Sequence, residues 1–251
     1  KVTYVGKQED SSHNEVLAKS LVNGAVIRVT LTPNGVRSYK WSPDFRYIAY
    51  TQLDPKSAAR SKREDHGFKQ KIHDEDFRHI SLFLWDSQTG GVRRLTSGVS
   101  IFDYVWANDN SRLALAVAPR NLVDDSYMFK RIHTVTVDGR LEKIIDNPGK
   151  LGDMAFAPDG KRLAYVSAAD PRDPHAGMLY LLDFTTRKTK PLTDGFLGMV
   201  HHIHWDSPAK IRAVVSRGVR TFVASIDPES AEMTNEVVGG ERAIGRVSVK
   251  E

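Results

Sequence analysis

One ten-residue pattern occurs four times in this sequence, and a fixed repeat constrains a fold more than any other single feature. The copies are Trp41-Ser-Pro-Asp-Phe-Arg-Tyr-Ile-Ala-Tyr50, Trp106-Ala-Asn-Asp-Asn-Ser-Arg-Leu-Ala-Leu115, Phe156-Ala-Pro-Asp-Gly-Lys-Arg-Leu-Ala-Tyr165 and Trp205-Asp-Ser-Pro-Ala-Lys-Ile-Arg-Ala-Val214. Each opens on an aromatic residue. Three carry an acid three positions on (Asp44, Asp109, Asp159), and in a gapless alignment all four carry alanine eight positions on (Ala49, Ala114, Ala164, Ala213). The anchors lie 65, 50 and 49 residues apart. Pro-Asp-Gly and Asn-Asp-Asn are turn chemistry: a fixed φ, a side chain that bonds its own backbone, and a residue that tolerates the left-handed region. The pattern predicts a strand ending at the aromatic, a turn, and a second strand. A small residue at a fixed strand position suits a close approach between neighbouring sheets.

A second hairpin follows each copy. Ser81–Asp86, Ile132–Asp138, Leu179–Asp183 and Thr221–Asp227 are β-rich runs stopped by aspartate, with turn residues and then a polar strand behind them. Four strands in each unit of about 45–50 residues make a propeller blade. The expected fold is therefore all-β: a β-propeller of four-stranded antiparallel blades, about five of them present and the set incomplete. A β-sandwich with chance similarities is the competing fold. No period of 3.6 is sustained, so little helix is expected. Residues 1–251 read as a single β-propeller domain or fragment, with blade anchors near 41, 106, 156 and 205. Residues 1–40 carry material of a preceding blade, including Val26–Leu31. Arg246–Glu251 resembles the first strand of a further repeat. The expectation is a piece of a longer polypeptide; the alternative is a permuted closure in which both ends meet in one blade.

Two insertions interrupt the period. The first, a charged insertion over 54–79, accounts for the longest spacing, and its default expectation is a solvated loop. The second surrounds Asn121–Lys130. Such loops on one face of a repeat protein tend to carry contacts.

Chemistry is sparse. The 251 residues include no cysteine, which removes disulfides, thiolate metal sites and a cysteine nucleophile. The 36 basic and 31 acidic residues give a net charge of +5 that is scattered rather than gathered in a stripe, so no nucleic-acid partner is expected. No apolar run reaches the ~18 residues of a membrane span. No Gly-x-Ser-x-Gly elbow, phosphate-binding loop, dinucleotide fingerprint or His-Glu-x-x-His helix is present. No cofactor is expected. His202 and His204 share a strand face and would ligate a metal if a third ligand joined them; the alternative is polar residues lining a channel. The acid pairs Glu75-Asp76 and Asp124-Asp125 lie in the insertions, where they would hold a cationic amine or simply face solvent. These six residues are the candidate substrate contacts. Arg78, Arg120 and Arg131 sit at loop–strand borders, placed to grip a carboxylate bidentately.

The Trp-Ser-Pro-Asp and Phe-Ala-Pro-Asp-Gly-Lys-Arg-Leu-Ala-Tyr segments resemble the repeats of TolB-like propellers. A narrower resemblance rests on the first Trp-Ser-Pro-Asp blade, the charged insertion with His73–His79, then Leu82–Asp86, Arg93–Thr96 and Asp124–Arg131. Over residues 38–230 the chain is similar to the N-terminal propeller of prolyl-oligopeptidase-family serine peptidases, in the acylaminoacyl-peptidase and dipeptidyl-aminopeptidase branch. That resemblance implies a non-catalytic propeller that gates and positions peptide substrates for an α/β-hydrolase domain of the same polypeptide. None of the triad residues has a counterpart here, so no catalytic residue is assigned. A stand-alone TolB-like scaffold for a protein partner is the alternative, and a propeller enzyme using His202 and His204 is a third. The compartment stays open between cytoplasm and periplasm.

Overall fold

The computed structural model describes residues 1–30, 32–172 and 177–238. The strand suggested over Arg246–Glu251 lies outside them. Among the described residues, nineteen strands follow the order expected from the repeat, with two short helices in the insertions. They are β1 Val2–Gly6, β2 Glu15–Lys19, β3 Val26–Arg28, β4 Ser38–Trp41, β5 Tyr47–Leu53, α1 Ala58–Asp65, β6 Ile80–Asp86, β7 Val92–Arg94, β8 Ser100–Trp106 and β9 Arg112–Ala118. After these come α2 Val123–Met128, β10 Arg131–Thr136, β11 Leu141–Ile145, β12 Leu151–Phe156, β13 Arg162–Ser167, β14 Met178–Asp183, β15 Lys188–Pro191, β16 Met199–Ser207, β17 Lys210–Arg217, β18 Arg220–Ile226 and β19 Met233–Val238. They form four four-stranded sheets, β4–β7, β8–β11, β12–β15 and β16–β19, preceded by a three-stranded sheet, β1–β3. Every pairing is antiparallel between consecutive strands. The sheets are propeller blades.

The turn chemistry works as the sequence indicates. Asp44, Asp109 and Asp159 each accept the backbone N–H two residues on, at 3.0, 3.0 and 2.8 Å. The residue after each acid takes the left-handed region: Phe45, Asn110 and Gly160, with φ of 57, 61 and 66°. Asp86, Asp183 and Asp227 do the same for the second hairpin, accepting from Gln88, Thr185 and Glu229 at 2.7–2.8 Å.

Alternation along the second strands sends consecutive side chains to opposite seams. Leu113 packs back onto the β4–β7 sheet with Ala49 and Leu82, while Ala114 packs forward against Met154 and Phe156. Ala49, Ala114 and Ala164 are fully buried where they meet the next sheet. There the next anchor comes across: the Tyr104 hydroxyl donates to Ala49 O at 3.2 Å and the Trp106 indole to Lys40 O at 3.2 Å. Four such seams join the five sheets in a row.

The fourth repeat departs from the gapless alignment. Trp41, Trp106 and Phe156 pair with Ile48, Leu113 and Leu163, seven residues on, but Trp205 pairs with Ile211, six residues on. The Ser207↔Lys210 pair leaves only Pro208 and Ala209 as the turn. A slip of one residue exchanges the two faces of a strand. Ala213 therefore sits opposite Ile203 on the backward face, and Arg212 takes the forward position that alanine fills in the earlier blades. Asp206, at 2.8 Å, and Glu236, at 3.4 Å, hold its guanidinium on the outer face of the β16–β19 sheet.

Both insertions are ordered. The first, expected as a solvated loop, carries α1, capped by Ser57, whose hydroxyl accepts from Arg60 N at 3.1 Å. The second carries α2.

Candidate functional site

The inner strands β8, β12 and β16 touch across their seams, whereas the fourth strands β7 and β15 are exposed along their length. The hub is thus built from the strands that end in the anchor aromatics. Three residues before each anchor stand Ser38, Asp103, Asp153 and His202. At this position the last three strands lose register: between Ile101 and Asp103, between Leu151 and Met154, and between Val200 and His202. Bulges re-aim side chains and recur beside functional sites. Asp103 Oδ1 accepts its neighbour's amide, Tyr104 N, at 2.8 Å and the Lys40 ammonium at 3.1 Å. Asp153 Oδ1 accepts Met154 N at 3.1 Å, and its Oδ2 accepts Ile203 N at 3.0 Å, with His202 Nδ1 3.7 Å away. These side chains stay 30–47 % exposed, so solvent and solutes reach them. Half-buried Lys130 has its pKa lowered by burial, against the opposing pull of the Asp103 carboxylate. His201 is likewise lowered, by burial first and then by the charge of His202.

A second feature lies where the insertions meet. Asn121 Nδ2 donates to Arg78 O at 3.0 Å, tying the two together. Beneath the first is a cleft of about 550 Å³, lined by Asp54, Lys56, Lys71, Glu75, His79 and Asn121 among others. Arg60, 8 % exposed, anchors the lobe: it donates to Glu64 at 2.7 Å, to Asp76 at 2.6 Å and to Gln70 O. Hydrogen bonds from Lys56 and then Arg60 hold the Glu64 carboxyl down at about 2.

The six candidate contacts fall into two groups. In each acid pair the structure divides the roles. Glu75 is exposed and lines the cleft, while Asp76 is committed to Arg60, Arg63 and Ile72 N. Asp124 is exposed, while Asp125, 2 % exposed, is committed to Arg120 at 2.9 Å. His202 and His204 are exposed on one face of β16. Among the described residues no ion pair or hydrogen bond joins the insertion acids to these histidines, and no cluster of three or more metal-ligating side chains is present. The three candidate arginines serve the fold: Arg120 binds Asp125, Arg131 binds Asp146 at 2.8 Å, and Arg78 binds Asp54 O and Asn34. Lys40, Asp103 and Asp153 were not singled out in the sequence. For Asp103 and Asp153 the signal was available as a shared offset of three residues before the anchor aromatic; Lys40 had no such signal.

No protein-family model matches the chain, and no curated protein matches it. Solved structures do. An oligogalacturonate lyase from Vibrio parahaemolyticus superposes with a TM-score of 0.68 at 13 % identity, over 95 % of this chain and 62 % of that one. An acylaminoacyl peptidase in complex with Z-Gly-Gly-Phe-chloromethyl ketone gives 0.64 at 16 % identity, over 95 % and 37 %. A Mycobacterium tuberculosis puromycin-hydrolyzing peptidase gives 0.57 at 13 %, over 88 % and 32 %. The shared fold is the β-propeller. At these identities the likeness concerns fold alone. The propeller spans less than two thirds of each of these chains. Among the described residues no helix is long and apolar enough to cross a membrane.

Proposed function

We propose that this propeller is the non-catalytic part of a prolyl-oligopeptidase-family serine peptidase, where it admits and positions peptide substrates for an α/β-hydrolase domain of the same polypeptide. The observation that carries this reading is the polar hub, where three successive inner strands lose register at Asp103, Asp153 and His202, with Lys40 against Asp103 and His202 against Asp153. A peptide brings an ammonium, a carboxylate and unpaired amides, and a wall that carries both acids and bases can pass all three without trapping any. The fold shared with two peptidases supports the reading. Glu75 and Asp124, the exposed members of their pairs, are proposed as contacts for a substrate's amine at the insertion face. The test is activity-based labelling. Residues 1–251 alone should neither react with a fluorophosphonate nor release product from acyl-peptide substrates. The polypeptide with its hydrolase domain should do both, and should cleave short peptides in preference to folded proteins. A labelled serine within 1–251, or equal cleavage of folded proteins, overturns the proposal.

A second reading is favoured by the lyase likeness, which includes an oligogalacturonate lyase in complex with manganese. In it His202 and His204 hold a metal at the hub, with Asp153 beside His202. Manganese retained by the protein and lost in the His202→Ala, His204→Ala variant would establish it; no bound metal would end it.

A further inference from the structure

Two neighbouring seams are built alike and charged differently. In each, an arginine at the start of a second strand reaches forward onto the next sheet. Arg162 lies over the Trp205 ring at 5.3 Å and gives Nη2 to Pro208 O at 2.8 Å. Arg112 lies over the Phe156 and Phe184 rings, at 5.8 and 4.3 Å, and gives Nη2 to Gly160 O at 2.7 Å. The second-hairpin turns of the facing sheets also match. Asp227 Oδ1 accepts Glu229 N and Ser230 N, and Ala231 follows with φ of 63°. Asp183 Oδ1 accepts Thr185 N and Thr186 N, and Arg187 follows with φ of 55°. So Thr185 stands where Glu229 does, and Arg187 where Ala231 does.

That exchange removes an acid and adds a base. Arg162 pairs with Asp159 at 3.3 Å and with Glu229 at 2.9 Å. Among the described residues Arg112 makes no ion pair, and its Nε is buried without a hydrogen-bond partner. Buried polar groups are ordinarily satisfied. Beside it is a cavity of about 90 Å³ between the β8–β11 and β12–β15 sheets, lined also by Thr134, Arg140, Glu142 and Arg187. Thr134 pairs with Ala114 as Leu84 pairs with Ala49 and Leu181 with Ala164, so a hydroxyl stands where the flanking sheets carry leucine. Thr134 is 7 % exposed, and its hydroxyl has no hydrogen-bond partner among the described residues. Arg187 binds Glu142 at 2.6 Å, while Arg140 makes no ion pair among the described residues. Asp109 and Asp138, the other acids near these guanidiniums, are taken up by their own turns, through Ser111 and Thr136. Three guanidiniums against one carboxylate leave the lining with two positive charges in excess.

We propose that this crevice binds a free tetrahedral oxyanion, phosphate or sulfate, in the role that the Glu229 carboxylate plays at the next seam. Arg140 and Arg187, both exposed, supply donors at the mouth; Arg112 Nε and the Thr134 hydroxyl supply them inside. Guanidinium forks match the oxygens of such an anion bidentately. The ion pins the two sheets together, as Glu229 on Arg162 pins the next pair. It needs no assumption about catalysis. The test is titration calorimetry of the 251-residue protein with inorganic phosphate and with sulfate, at millimolar concentrations and constant ionic strength, where general salting effects are small. The variants are Arg140→Gln, Arg187→Gln and Thr185→Glu, all at exposed positions. We expect one ion bound per chain, and binding at least ~10-fold weaker in each arginine variant, since each removes a charge-assisted donor. Thr185→Glu builds in the missing carboxylate, so it should abolish binding and raise the melting temperature in the absence of either anion. The parent's melting temperature should rise with phosphate, and that of Thr185→Glu should not. No binding to the parent overturns the proposal. Equal binding by the parent and all three variants also overturns it, as an adventitious ion only. Phenyl phosphate binding more tightly than phosphate overturns it as well, because a phosphate ester would then be the ligand.

Discussion

Phe45 holds φ at 57°, a conformation that costs a bulky L-residue about 1–2 kcal/mol, at the turn position where the third repeat uses Gly160. Its ring is 71 % exposed and only tilts against Trp41, at 6.2 Å, so little packing offsets the strain. Phe45→Gly is expected to raise stability by about 0.5–1 kcal/mol in chemical denaturation, the strain relief being partly cancelled by glycine's unfolded-state entropy. Aspartates make the opposite case. Backbone N–H groups of Gln88, Thr186 and Ser230 are the largest influence on Asp86, Asp183 and Asp227, and hold all three carboxyls below the ordinary value. Their contribution is complete above the unfolded value of about 3.9 and is lost as pH falls through the lower folded values. Melting temperature should therefore drop below pH 4. Replacing the three by asparagine, which keeps an acceptor but does not titrate, should flatten that drop; an unchanged profile would assign it to other groups.

At the scale of elements, the first insertion is a lobe because two carboxylates converge on one buried guanidinium. Arg60→Ala leaves Asp76, whose side chain is 9 % exposed, with Arg63 and the Ile72 amide alone. Removing the guanidinium takes away the partner that Asp76 and Glu64 share, and the cost falls on the lobe rather than on the blades. Trypsin is expected to cut the variant between Lys56 and Lys71 at least ~10-fold faster than the parent, with the main thermal transition moved by only a few degrees. Equal cutting rates would mean the lobe is held by its chain connections instead. The charge run that looked like a solvated loop is ordered because Gln70 O, Glu64 and Asp76 surround one side chain, a convergence spread over many positions.

For the molecule as a whole, the seams carry the stability, and three of the four depend on an alanine meeting the next anchor. Ala164 is fully buried where the β12–β15 and β16–β19 sheets meet. Ala164→Leu is expected to cost about 1–3 kcal/mol by overpacking, read as a lower denaturation midpoint with an unchanged slope. A changed slope would show that this seam opens independently of the others. The outer face of the β16–β19 sheet is different in kind: Arg212, Asp206, Lys210 and Glu236 form an ion network where the earlier sheets present alanine. A partner on that face meets charge and not an apolar socket.

The sequence alone determined the blade. Turn chemistry, period-two alternation and a terminal aspartate are local, act within a few residues, and therefore show in the order of the letters. Tertiary structure decided the rest. It shifted the fourth hairpin by one residue, because a two-residue turn at Pro208-Ala209 closes sooner than the earlier turns, and composition does not reveal that. It also chose which acid of each pair is free, because Arg60 and Arg120 reach Asp76 and Asp125 only once the insertions fold. And it gathered Lys40, Asp103, Asp153 and His202 at the hub, because residues tens of positions apart become neighbours only when the sheets stand side by side.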